Sequence, residues 1–207
     1  MPAEPAGWSR AQRRLHWWSA GLILAGFGLA WAMVAVPLDQ LLTKFLLYQL
    51  HKTLGLTALL LVLWRLLLRA RRGRPAWDEA LPGWQRRAAA AMHGALYGLA
   101  VCVPVLGYFV AATAPAQVPT LFLLVLPVPH MVGVDARAFA VLRAVHRAAA
   151  ILLVALAALH ALAAVHGARR GHGTLARMWR GSGAARGREG ITRSPQPPLP
   201  PPRGHGA

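Results

Sequence analysis

Histidines recur within or beside apolar runs of the chain, among them His16, His51, His93, His146 and His160. His146 and His160 share one run, residues 141–166, and stand fourteen residues apart. On an α-helix fourteen residues is close to four turns, so the two imidazoles point within ~40° of one another, ~21 Å apart along the axis. Neutral imidazole is the commonest metal ligand, and ionisable groups at membrane depth mark functional sites. Two histidines on one face, one near each leaflet, suit two stacked cofactors better than one active site. Zinc does not fit: there are no short-spaced ligand pairs, and all six acidic residues lie outside the apolar runs.

Elements of a particular kind must position these rings. Of 207 residues, 56% are hydrophobic and 14% charged, which is not the balance of an ordinary soluble domain. Four runs reach the ~20 residues that cross a bilayer: 15–36, 46–68, 89–112 and 141–166. The expected fold is all-α, an integral membrane four-helix bundle. The first run follows Arg10, Arg13 and Arg14 as a signal peptide would, but it is too long, and Val36-Pro37-Leu38 is no cleavage site. It is read as retained. Leu121 to Pro129 is apolar but too short to span and is broken by Pro127 and Pro129, so it belongs at the interface, within a 113–140 loop.

The formal charge of +17 suggests nucleic acid until the arginines are located. They cluster between the apolar runs, with no nucleic-acid-binding signature, so no nucleic acid is expected. Arg10, Arg13, Arg14, Arg69, Arg71, Arg72, Arg74, Arg86, Arg87, Arg169 and Arg170 all fall before run one, between runs two and three, or after run four. The positive-inside rule then places both termini in the cytoplasm. Three regions result: a basic N-terminus (1–14), a four-span domain (15–180), and a basic Pro/Gly-rich tail (181–207) with too little apolar surface to fold. Cys102 is the single cysteine, so there is no intramolecular disulfide and no CxxCH for covalent haem.

Topology sorts the histidines by depth. His51 and His146 fall in the outer half; His16, His93 and His160 fall in the inner half. One imidazole from each of two facing helices at equal depth is what bis-histidine haem iron requires. A lone interfacial histidine is commonly an anchor, and it is the pairing by depth that argues for ligation. His130, His166, His172 and His205 lie in loops or ends and are assigned no chemistry. Gly21, Gly26, Gly28 and Gly55 leave gaps for a flat ring, although small residues also serve ordinary membrane packing. Arg65, fourteen residues after His51, would meet a haem propionate or reach out to lipid phosphate.

Taken together, Arg14-Leu15-His16-Trp17, His51-Lys52-Thr53-Leu54-Gly55, Arg65 in LWRLLLR, His93 before Leu96-Tyr97, VPVLGY at 103–108, and His146 and His160 before AAVHGARRG resemble bacterial cytochrome b561. The resemblance runs from about residue 13 to 180. It implies a multi-pass protein of the bacterial inner membrane holding two haem b groups, His16 with His160 for the inner one and His51 with His146 for the outer one. It also implies electron transfer to a membrane quinone, ubiquinone or menaquinone.

Some members of that family are superoxide oxidases, which makes the chain a candidate superoxide:quinone oxidoreductase with superoxide or a periplasmic donor on the outer side. Lys52 would attract the anion, and His93 would hydrogen-bond a quinone carbonyl or donate a proton. Arg143 and Arg147 flank His146 and would bind propionate or lipid phosphate. The alternative is a haem-bearing anchor subunit of a hydrogenase- or formate dehydrogenase-type complex, with no substrate of its own.

The topology has a direct test. Alkaline phosphatase fused after Asp39 or Asp135 should be active, and after Gly73 or Arg180 inactive; the reverse pattern would invert the orientation.

Overall fold

The computed structural model describes residues 8–73, 82–171 and 174–179. Residues 1–7 of the basic N-terminus, the tail from 181, His172 and His205 lie outside the described residues. Four long helices carry the chain: α1 (Arg10–Ala35), α2 (Leu41–Arg72), α3 (Gly83–Thr113) and α4 (Ala136–Arg169), each long and apolar enough to cross a membrane. They are the four expected spans, extended by several residues at most ends. A helix need not stop where the hydrocarbon does, and the basic residues of these extra turns belong at the interface. Many large apolar side chains, among them Leu24, Trp31, Leu60, Trp64 and Leu162, are exposed. In a bundle whose solvent is lipid, that is where they belong.

Local chemistry explains where each helix begins and ends. Ser9 caps α1 in a reciprocal box: its Oγ accepts from Gln12 N–H (3.2 Å), and its own N–H donates to Gln12 Oε1 (3.1 Å). Pro37 forces Val36 out of the helical region and stops α1. The carbonyls left over there are taken by Lys44, whose Nζ donates to Val36 O (2.6 Å) and Met33 O (3.2 Å). Gly73, at φ +69°, ends α2 after Arg69, Arg71 and Arg72 have set their charges against the negative end of its dipole. Asp135 starts α4 by accepting from the N–H groups of Arg137 and Ala138, both at 2.9 Å.

Consecutive helices pack on one another, and α4 returns to touch α1. The mid-depth core is Val62 of α2, Ala100 of α3 and Leu153 of α4, with Ile23 of α1 and Leu96 and Tyr97 of α3 against it. Leu153 stands seven residues from both His146 and His160. An apolar layer therefore separates two levels of histidines.

The 113–140 segment is more ordered than an interfacial loop. Strands β1 (Thr120–Phe122) and β2 (Leu126–Val128) pair antiparallel, with Phe122 opposite Leu126. The reversal places Leu123 and Leu124 at positive φ, 53° and 64°, where leucine is uncommon. Helix α2 holds this hairpin. Gln49, fully buried, donates from Nε2 to Pro119 O (2.7 Å) and accepts the Leu121 N–H (3.0 Å). Thr53 Oγ1 accepts the Leu123 N–H at 3.1 Å. A fifth helix, α5 (Thr174–Trp179), follows α4 at the opposite end of the bundle. Neither hairpin nor α5 was expected from sequence.

Replacing Gln49 with Leu should undock the hairpin and leave the helices intact. Hydrogen exchange at the Leu121 amide should accelerate on the order of tenfold, as expected when a buried hydrogen bond of ~1–1.5 kcal/mol is removed. Unchanged exchange would show that other contacts hold the strands.

Candidate functional site

At the hairpin end, His51 of α2 faces His146 of α4, with ring centroids 6.3 Å apart and planes at 89°. Both rings are oriented through the same nitrogen. His51 Nδ1 donates to the Gly26 carbonyl of α1 (3.0 Å), and His146 Nδ1 donates to the Val103 carbonyl of α3 (2.9 Å). A carbonyl only accepts, so the proton of each neutral ring sits on Nδ1 and the Nε2 lone pair is free. This is how outer contacts fix a metal-binding imidazole. All four helices thus contribute to one level.

Close approach makes the second of these bonds possible. A Cβ on Gly107 would lie 3.0 Å from His146 Cε1 and 3.4 Å from its Nδ1. One turn earlier, Pro104 has no N–H to offer the Ala100 carbonyl. The VPVLGY stretch therefore shapes the surface of α3 that receives the ring.

At the opposite end, His16 of α1 and His160 of α4 have centroids 6.4 Å apart with planes at 76°. His93 of α3 lies nearer to His160, at 5.1 Å. Arg65 Nη2 donates to His16 Nδ1 at 3.0 Å. A guanidinium cannot accept, so here Nδ1 is the acceptor, the opposite arrangement from His51 and His146. Arg65 and Arg69 also lie over the Tyr97 ring, at 5.1 and 5.6 Å from its centroid.

These separations decide what each pair can hold. With a metal–nitrogen bond of about 2 Å and ~1.1 Å from nitrogen to ring centre, two imidazoles on opposite sides of one metal have centroids about 6 Å apart. His51–His146 and His16–His160 match that separation; His93–His160 is too close. No group of three or more metal-binding side chains exists among the described residues. Two imidazoles alone suit a metal that brings its own equatorial donors, as iron in a porphyrin does. The pair at the hairpin end meets this separation with its tautomers already set. The pair at the opposite end meets it and needs Arg65 to release His16 Nδ1.

The cations expected near the outer pair are arranged unequally. Lys52 Nζ donates to Pro119 O (3.2 Å) and Val118 O (3.4 Å), at the base of the hairpin. Arg143 lies over the Phe139 ring at 5.3 Å and is exposed, as is Arg147.

His130, given no role from sequence, joins this end of the bundle. Its Nε2 shares a hydrogen bond with Thr120 Oγ1 (3.0 Å), and Tyr108 meets the ring edge-on at 6.3 Å. Tyr108 Oη donates to Pro129 O (2.9 Å) and accepts the Met131 N–H (2.8 Å). Desolvation, with the nearby Lys52 charge second, lowers the His130 pKa and favours the neutral ring. It lines an open pocket of about 360 Å³ with Thr120, Ala112 and Val134. A loop histidine with no helical period around it carries no sequence signal of such a setting.

Comparison with known proteins supplies the family. No curated protein matches the chain. The family described as prokaryotic cytochrome b561 matches residues 7–181, a stretch that contains all four long helices and the half-buried His16, His51, His93, His130, His146 and His160. With apolar helices built to cross a bilayer and facing imidazoles suited to haem b, the chain belongs to the prokaryotic cytochrome b561 family, multi-pass bacterial membrane cytochromes b that transfer electrons.

Proposed function

We propose that the chain is a di-haem electron carrier of the inner membrane, one haem b held by His51 and His146 and the other by His16 and His160. The observation that carries this reading is the pair of ring separations, 6.3 and 6.4 Å, at two levels of one bundle. Haem iron, when bound, supplies the one-electron chemistry; the chain supplies ligation, spacing and electrostatics.

Each remaining residue then has a definable task. The Gly26 and Val103 carbonyls hold His51 and His146 with Nε2 available. Arg65 lies at the level of His16, where a propionate would attract its guanidinium away from Nδ1 and form a charge-assisted pair. The layer of Val62, Ala100 and Leu153 keeps water out between the two levels. His93 is close to His160 without being needed as a ligand, so it can hydrogen-bond the carbonyl of ubiquinone or menaquinone or pass it a proton.

With both termini cytoplasmic, the hairpin end faces outward, and the donor acts there. Lys52 places a cation beside His51 at that surface and would draw in an anion such as superoxide. In that case the chain is a superoxide:quinone oxidoreductase.

Haem quantitation tests the stoichiometry. Purified protein should carry two noncovalent, low-spin haems per chain. His51→Ala and His146→Ala should each remove one, and His16→Ala and His160→Ala should each remove the other. One haem in the unaltered protein, or a haem lost with His93→Ala but kept with His16→Ala, would refute the assignment.

Stopped-flow reduction tests the donor. Lys52→Gln should slow reduction by superoxide several-fold at low ionic strength, with haem content unchanged. The gap should close as salt rises, since the Debye length is ~8 Å at 0.15 M. A rate indifferent to both mutation and salt would favour a protein donor, or the role of anchor subunit in a larger dehydrogenase.

A further inference from the structure

Helix α5 folds back onto the first turns of α1, and the contact is specific. A short helix ends with carbonyls that have no partner of their own. Arg13 Nη1 donates to Trp179 O (3.1 Å), and Trp17 Nε1 donates to Met178 O (3.3 Å). The Trp17 and Trp179 rings meet edge to face at 4.9 Å. Side chains of α1 thus cap the C-terminal end of α5.

The two elements enclose an open pocket of about 470 Å³ walled by Arg10, Arg13, Arg14, Trp17, Trp18 and Trp179. Three arginines line it, and no acidic residue is among the described residues that do. Nor does the first turn of α1 carry an acid to offset the positive end of its dipole. Arg13 Nε is buried and has no hydrogen-bond partner, although a buried donor left unmatched is costly. Each of these features calls for an anion with several acceptor oxygens.

The surroundings identify its source. The pocket opens at the end of a membrane-spanning helix, beside Trp18 and Trp179, each 67% exposed. Indole at that position is the side chain of the headgroup region, with an apolar body toward acyl chains and an N–H toward water. We propose that this pocket binds the headgroup phosphate of an anionic phospholipid, its acyl chains lying along the apolar face of α1. Neither the haem assignment nor the identity of the electron donor enters this argument. The site sits next to one of the proposed ligands all the same: Trp17 follows His16 and meets its ring at 5.1 Å.

Native mass spectrometry of the full-length, haem-loaded, delipidated protein tests the site with defined lipids. Phosphatidylglycerol should bind at one high-affinity site at least tenfold more tightly than phosphatidylcholine. The Arg10→Gln/Arg13→Gln/Arg14→Gln variant should lose that preference. The milder Arg10→Gln/Arg14→Gln variant keeps the Arg13 bond to Trp179, and should weaken phosphatidylglycerol at least threefold with haem content unchanged. Arg71→Gln/Arg72→Gln removes charge from the same end of the bundle outside the pocket and should leave binding intact. Equal weakening by Arg71→Gln/Arg72→Gln, or equal retention of phosphatidylcholine, would overturn the proposal. So would displacement of the lipid by millimolar inorganic phosphate, which would make free phosphate the ligand.

Discussion

The arrangement depends on what an imidazole needs at membrane depth. Each ring has two nitrogens, no water is at hand to satisfy them, and an unmatched polar group there is costly. His51 and His146 settle one nitrogen on a neighbouring helix's backbone, through the Gly26 and Val103 carbonyls. The other nitrogen keeps its lone pair, which is the protonation state in which an imidazole can bind a metal. The protein thus orients these imidazoles with main-chain carbonyls, which cannot be removed by substituting a side chain. Helix-to-helix registry and imidazole tautomer become the same property, because sliding α3 along α4 would break the bond that sets the His146 proton.

The two levels are built by different means. The level at the hairpin end relies on carbonyls and on the bare surface of Gly107, so its rings are fixed by backbone shape. The level at the opposite end relies on side chains: Arg65 on His16, Arg65 and Arg69 on Tyr97, and His93 against His160. Charged and titratable groups gather where the basic helix ends gather. The hairpin end instead closes with a neutral network of Gln49, Thr53, Thr120 and Tyr108. One end is thus ordered mainly by charged and titratable side chains, the other mainly by backbone and neutral hydrogen bonds, with Lys52 as the cation at its edge.

Much of this was legible in the sequence, and the limit has a physical cause. Helices announce themselves through length and apolarity, and His146 and His160 announce a shared face through the 3.6-residue period. Depth follows from arginine placement, so the grouping of His51 with His146 needed no coordinates. The hairpin was hidden because its reversal at Leu123, Leu124 and Val125 has no Gly, Asn or Asp to signal a turn. Thr120 to Val128 reads only as an apolar run. Gln49, Lys52 and Thr53 reach it from about seventy residues away in sequence, and no local pattern encodes such a pairing. Helix α5 is too short for periodicity to reveal. His130 gains its setting from Thr120 and Tyr108, neither of which stands out in sequence on its own.

Because His146 and His160 belong to one uninterrupted helix, α4 acts as a ruler for both levels. Its graduations are set by the chain and not by packing. Inserting one residue between the two histidines would rotate the second by about 100° and raise it ~1.5 Å, carrying the ring off the face it shares with the first. Seven residues would restore the face but lengthen the interval by ~10 Å, beyond what the partner helices could follow. The length of segment 147–159 is therefore frozen, whereas its exposed apolar side chains, unlike the buried Leu153, can be exchanged for one another. A change of length can be absorbed in the loops but not in this part of the chain.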